Sequence, residues 1–219
     1  MRRNMDENFK FFLENMGPPI ERRDVPSSSI ERYRGKLPDQ LLVYWKEQGW
    51  CGYADGLFWT VDPEEYEPVL EAWIGDTPFM EHDAYHLIAR GAFGDLYFWG
   101  EKSGASLTIS VPGATCVFKE SQIIAEEAQT RKMQIFFAAM NRKGNDFDGM
   151  FVPALEKLGR LKHDEMYGFV PAMALGGSGE LDQLEKLKAV EHLVFLAQLA
   201  PLDVMIMPPL STFYPNSLP

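Results

Sequence analysis

The sequence predicts an α+β protein: an antiparallel β meander with packed helices, followed by a smaller, mainly helical α+β C-terminal domain. Three observations carry this. Residues 85–118 break into short runs rich in β-branched and aromatic residues, YHLIAR, DLYFWGE, SLTIS and TCVFK. Gly94-Asp95, Lys102-Ser103-Gly104 and Pro112-Gly113 separate those runs with turn chemistry. Helical periodicity is found on either side of this block.

In chain order, Phe9, Phe12, Leu13 and Met16 recur at helical spacing and predict an amphipathic helix over 5–16, ended by Gly17-Pro18-Pro19. Ser28 with Glu31 fits a capping box and predicts a short helix through Arg34. Leu37 and Pro38 open the helix DQLLVYWKEQ, and Gly49 closes it. Residues 49–59 read as framework, glycine turns and bracing aromatics, with a strand over 56–61. Asp62-Pro63-Glu64-Glu65 is a helix start: Asp62 caps, Pro63 suits the first turn, and both glutamates favour the positive end of the dipole. That helix is expected to reach about Trp73, with Pro68 inside it as a potential kink.

After the meander, a long helix is expected over about 121–141, ending in the polar turn RKGNDFDG. FVPALEKLGRL predicts a helix, and 164–175 is mixed, with room for a strand. GGSGE leads into a helix over about 181–200, with Leu184, Leu187, Val190, Leu193 and Leu196 on its apolar side. The proline-rich residues after it read as a tail. A boundary within 121–149 divides the chain into domains 1–125 and 126–219.

Composition narrows the function classes. The 219 residues are 46% apolar and 13% aromatic, enough for a real core and too apolar for disorder. The most apolar stretch, 193–210, is broken by Gln198, Asp203 and three prolines, so no membrane span is expected. The opening MRRNMDENFKFFLENMG has no apolar run and does not read as a secretory signal, which predicts a cytoplasmic location. Cys51 and Cys116 lie far apart and are expected to stay reduced and buried. A net charge of −11 argues against direct nucleic-acid binding and for a basic partner.

The charge is concentrated. Between residues 49 and 101 there are eleven acids, and Arg90 is the only Lys or Arg. The rest of the chain is nearly balanced, with 21 acids against 20 basic residues. Such a segment is either a solvated acidic face over an aromatic core or an electrostatic docking surface that steers a basic partner.

Catalytic constellations are weak. His82-x-x-x-His86 would share a metal on a helix, but the stretch enters a strand, where these positions sit too far apart for one ion. Glu64 and Glu65 resemble a glycosidase pair only in residue type, and acids at a helix start are ordinary. Cys51 with either histidine matches no nucleophile motif. Gly176-Gly177-Ser178-Gly179 is a linker leading to a helix cap. LKHDEMYGF is either a turn with Tyr167 and Phe169 tucked into the core or an exposed loop presented to a partner.

With these residues on the page, LPDQLLVYWKEQGWCGYADGLFWTVDPEEYEPVL followed by YHLIARGAFGDLYFWGEKSG closely resembles the bacterial GAD-like domain. FVPALEKLGRLKHDEMYGFVPAMALGG and AVEHLVFLAQLAPLDV resemble the domain that commonly follows it, in proteins that include immunity proteins for type VI secretion effectors, notably DNase toxins. The resemblance spans about residues 5–205. It implies an α+β fold, no enzymatic activity, no cofactor or metal, and a cognate toxin, a basic nuclease-type effector, as partner. The residues expected to meet it are Asp55, Asp62, Glu64, Glu65, Glu67, Glu81, Asp83 and Glu101, with Asp164, Glu165 and Tyr167 from LKHDEMYGF. The alternatives are a metal- or carboxylate-dependent hydrolase using the histidines or the acid cluster, and a general protein-interaction module.

Overall fold

The computed structural model describes residues 5–119 and 125–208. The first helix, α1 (Glu7–Met16), is capped by Asp6, whose carboxylate accepts from the Phe9 amide at 3.0 Å, and it buries Phe9, Phe12 and Met16. A short strand, β1 (Ile20–Arg23), leads to α2 (Ser27–Tyr33) and α3 (Asp39–Gln48). The capping box expected at Ser28 does not form. The helix begins at Ser27 after Pro26, so Ser28 lies inside the first turn and Glu31 instead pairs with Arg34 at 2.7 Å. Gly49 ends α3 at φ 78°, and a Cβ there would lie 2.3 Å from the Arg23 carbonyl oxygen, because β1 passes directly behind it.

Residues 49–60 form more strand than expected: β2 (Trp50–Tyr53) and β3 (Phe58–Thr60) are both buried throughout. The helix expected from Asp62 starts a turn later, as α4 (Glu67–Ile74), preceded by hydrogen-bonded turns over 62–67. Pro68 therefore occupies the first helical turn, where its missing N–H leaves no bond unmade, and no kink arises. After α5 (Phe79–His82) come the meander strands β4 (Tyr85–Gly91), β5 (Asp95–Gly100), β6 (Gly104–Ser110) and β7 (Thr115–Lys119), close to the expected runs.

The C-terminal half contains α6 (Glu126–Ala139), α7 (Arg142–Asn145), α8 (Phe151–Leu158), β8 (Glu165–Phe169), β9 (Leu184–Lys188), α9 (Ala189–Leu196) and β10 (Asp203–Met207). Residues 121–124, expected to begin the long helix, lie outside the described residues, as do 209–219 of the expected tail. The helix expected over 181–200 is divided. Its first half is β9, which pairs antiparallel with β8 from Leu184↔Phe169 to Glu165↔Lys188, and its second half is α9. The leucine spacing fits a helix, but the exposed edge of β8 offers Leu184 and Leu187 a ladder, and that ladder wins. Residues 203–207, within the proline-rich end, are not tail: β10 pairs with β7 in parallel.

Among the described residues the main sheet runs β1-β2-β3-β4-β5-β6-β7-β10, antiparallel except for the last pair, and β8-β9 forms a separate ribbon. The buried side chains of 1–125 and 126–219 form one continuous cluster. Phe137 of α6 stacks its ring edge among Phe9, Phe12 and Tyr44 at centroid distances of 5.1–5.3 Å. Trp73 of α4 donates its indole N–H to the Leu193 carbonyl of α9 at 3.0 Å. Among the described residues no helix is long and apolar enough to cross a membrane. Both cysteines are buried free thiols, and burial pushes Cys116 up to about 11.

Candidate functional site

Ten of the eleven acids of residues 49–101 fall into three groups once folded, and the eleventh, Asp95 at the start of β5, has its carboxyl raised by burial. The first is internal. Asp83 is 6% exposed and accepts from the amides of Ala84 (2.8 Å), Lys102 (3.0 Å) and Ser103 (2.8 Å) and from the Ser103 hydroxyl (2.7 Å). It staples the β5–β6 turn to the start of β4. Asp62 is 7% exposed, and its Oδ1 accepts from the Glu64 amide at 3.2 Å. Desolvation, reinforced by the Glu65 carboxylate, raises the Asp62 carboxyl to about 6. These two acids, expected at the partner surface, are corrected to buried groups: Asp83 is drawn inward by the several backbone N–H groups it accepts, and Asp62 is buried with a single amide bond.

The second group is exposed or partly exposed, and paired. Glu65 takes a two-point contact from Arg23 at 2.9 and 2.5 Å, and Glu64 pairs with Arg32. Asp55 faces Arg142 and Arg160 at 3.5 and 3.6 Å, and Glu101 accepts His86 at 2.8 Å. In the C-terminal half, Asp164 pairs with Lys188, and Glu165 accepts the Lys162 amide at 3.0 Å. Each of these charges already has a partner inside the chain.

The third group is exposed and unpaired. Glu67 and Glu71 sit one turn apart on α4, Asp76 lies in the turn after it, and Glu81 is on α5. Among the described residues no cation lies within ion-pair distance of any of them, and half-exposed Met80 stands beside Glu81. Within residues 49–101, the α4–α5 corner is thus where acids without an ion pair among the described residues reach solvent. Glu67 and Glu81 were among the residues expected there; Glu71 and Asp76 were not, although helical i, i+4 spacing from Glu67 already marks Glu71.

The one basic residue of the segment does nothing to neutralise this corner, because it points inward. Arg90 is 0% exposed and lies with its guanidinium 5.2 Å over the Trp59 ring. It donates to the Tyr66 hydroxyl (2.8 Å) and to the carbonyls of Gly91 (3.3 Å), His163 (2.9 Å) and Glu165 (2.7 Å). Trp59 is itself held by Gly56, whose carbonyl accepts the indole N–H at 2.7 Å across a turn in which Ala54, Asp55 and Gly56 all have positive φ.

The open question over LKHDEMYGF is settled by β8. Tyr167 is buried against Phe93 and Phe151, its hydroxyl donates to the Gly159 carbonyl at 2.7 Å, and burial pushes that hydroxyl up to about 12. Phe169 is buried too. Tyr167 is therefore corrected from a partner contact to a core residue: its amide bonds to the Ala92 carbonyl at 2.9 Å, which fixes β8 against the end of the main sheet.

His82 is exposed at the end of α5 while His86, on β4, turns to Glu101 in the β5–β6 turn, and among the described residues no group of three His, Cys, Asp or Glu is arranged to hold a metal. Burial raises the Cys51 thiol, the opposite of nucleophile activation. A cavity of about 280 Å³ between the β6–β7 turn, β8 and α9 is lined chiefly by apolar groups such as Phe93, Val111, Met166 and Leu196. Its one imidazole, His192, has its Nε2 against Gly168 and is held toward the neutral form by burial.

Residues 7–113 match the family described as GAD-like domain, and residues 130–200 match the family described as T6SS immunity protein Tdi1, C-terminal. No curated protein matches the chain. Among solved structures, the crystal structure of Atu4351 from Agrobacterium tumefaciens has a TM-score of 0.81 at 21% sequence identity, with 93% of each chain covered, a likeness of fold.

Proposed function

The chain belongs with the proteins that join a GAD-like domain to a Tdi1-type C-terminal domain of type VI secretion immunity proteins, and from that premise we propose that it neutralises a cognate DNase-type effector by covering its active site or its DNA-binding surface. The protein acts by binding and performs no reaction of its own, in the cytoplasm where the toxin would meet DNA.

The observation that carries this reading is the α4–α5 corner. Glu67, Glu71, Asp76 and Glu81 form a one-signed surface whose charges have no partners among the described residues. A nuclease must present cations to the phosphate backbone of its substrate. An inhibitor that offers carboxylates at a comparable density is attracted to that surface before contact, and the attraction raises the association rate. Met80 supplies apolar area beside the acids, where affinity is held once water is expelled. The paired acids Asp55, Glu64, Glu65 and Asp164 belong to the wider surface and act there as ion pairs with reduced field, while Glu101 and Glu165 are held by His86 and the Lys162 amide.

The test is to mix the purified protein with the toxin encoded by the adjacent gene. A stable complex and full-length DNA in the mixture are expected. Absence of a complex, or DNA degraded at the rate of the free toxin, overturns the assignment.

A further inference from the structure

The two edges of the main sheet are managed in opposite ways. At one edge, β1 reads Ile20-Glu21-Arg22-Arg23, carries three charges, has a register break between Ile20 and Arg23, and holds Glu21 at φ 50°. Charge and irregularity of this kind keep a second strand from adding to an edge. At the other edge, β10 reads Asp203-Val204-Met205-Ile206-Met207, pairs regularly with β7 over all five residues, and has every residue exposed, Met205 by 57% and Ile206 by 61%. After its first residue it carries no charge.

The backbone pattern shows which groups of β10 have no strand partner among the described residues. The Asp203 amide donates to the carbonyl of Ala114, just before β7, at 2.8 Å. In a parallel ladder the residues of one strand alternate between facing the neighbour and facing away. Asp203, Met205 and Met207 therefore bond to β7, and the N–H and C=O groups of Val204 and Ile206 point out of the sheet edge. Pro208, next in line, has no N–H to offer and ends the edge.

We propose that β10 is a self-association edge, on which a second copy of this chain docks by antiparallel pairing of the two β10 strands about a two-fold axis at Met205. In that register Val204 faces Ile206 of the second copy and Ile206 faces its Val204, so each outward N–H meets an outward C=O. The two Met205 side chains face each other as a non-hydrogen-bonded pair on the axis. An axis at Ile206 would set Val204 against Pro208, which lacks the donor. An axis at Val204 would set Asp203 against Met205. The Met205 axis sets Asp203 against Met207, whose neighbour on β7 is Lys119. Lys119 is exposed and has no ion pair among the described residues, on the same sheet face and two strand spacings away, about 10 Å, within the joint reach of an extended lysine and an aspartate. The contact is thus complementary in hydrogen bonding, shape and charge to itself, as a two-fold interface requires. It lies apart from the toxin reading and does not depend on it.

Sedimentation of the full-length protein over a range of concentrations is expected to show a reversible monomer–dimer equilibrium. Met205→Lys and Met205→Glu are each expected to be monomeric, since each brings like charges together on the axis, and an equimolar mixture of the two is expected to recover the dimer. Under mild oxidation Met205→Cys is expected to form a disulfide-linked dimer, because Cα atoms of such a pair lie about 4.5 Å apart, while Met207→Cys is not. Both native cysteines are buried, so they do not confuse the readout. A monomer at every concentration with no cross-link through Met205→Cys overturns the proposal. So does a monomer in which Met205→Lys instead weakens toxin capture, since the edge would then belong to the toxin.

Discussion

Arg90 is joined to Glu165 across the seam between the meander and the C-terminal half, its Nη2 donating to the Glu165 main-chain oxygen at 2.7 Å. No carboxylate faces this buried guanidinium among its hydrogen-bond partners; its charge is spread over a tyrosine hydroxyl, three carbonyls and the face of Trp59. Removing it leaves several buried acceptors without donors. Arg90→Met is therefore expected to lose about 3 kcal/mol or more in chemical denaturation. Arg90→Lys is expected to recover little, because a single ammonium cannot span acceptors on both sides of the seam. A loss within about 0.5 kcal/mol would mean that the clamp carries no stability.

At the α4–α5 corner, replacing Glu67, Glu71, Asp76 and Glu81 together with lysine is expected to slow toxin association about tenfold or more at low salt and to flatten its salt dependence. Reversing Glu64 and Glu65 is expected to do less, since Arg32 and Arg23 already offset them. Stopped-flow association at several ionic strengths separates the two. Equal effects from both sets would remove the special status of this corner.

Asp62 links stability to pH. Its carboxyl is raised to about 6 in the folded chain from the ordinary 3.8, so the folded state holds the proton more tightly than the unfolded state does. The resulting stabilisation is complete below about pH 4 and is lost as pH rises through about 6. Asp62→Asn, which keeps an oxygen for the Glu64 amide, is expected to melt higher relative to wild type at pH 8 than at pH 4. A wild type that gains on the variant as pH rises would show that Arg23 and Arg32 outweigh desolvation.

Asp83 distinguishes a structural acid from a docking acid. Asp83→Ala strips acceptors from the amides of Ala84, Lys102 and Ser103 and is expected to cost about 2 kcal/mol or more. Toxin association by the folded fraction is expected to be unchanged. A large drop in association rate without loss of stability would return Asp83 to the interface.

Much of this molecule is legible from local chemistry. The four meander strands follow their turn residues, α1 follows its apolar spacing, and α3 lies between Pro38 and Gly49, because short-range steric and capping preferences act over a few residues and need no distant partner. The excess of acids in residues 49–101 is likewise a property of the chain alone. Which of those acids remain free is not. Asp83 was drawn inside by backbone amides, Asp62 was buried beside the Glu64 amide, Glu64 and Glu65 were met by arginines from β1 and α2, and Arg90 was turned inward to carbonyls more than seventy residues away. The same holds for backbone form: Leu184 and Leu187 carry helical spacing but pair with β8, and residues 203–207 extend a sheet whose other strands end before residue 120. Charge content and turn chemistry are read residue by residue. Pairing, burial and strand partnership depend on which segments meet in space, and long-range packing sets that.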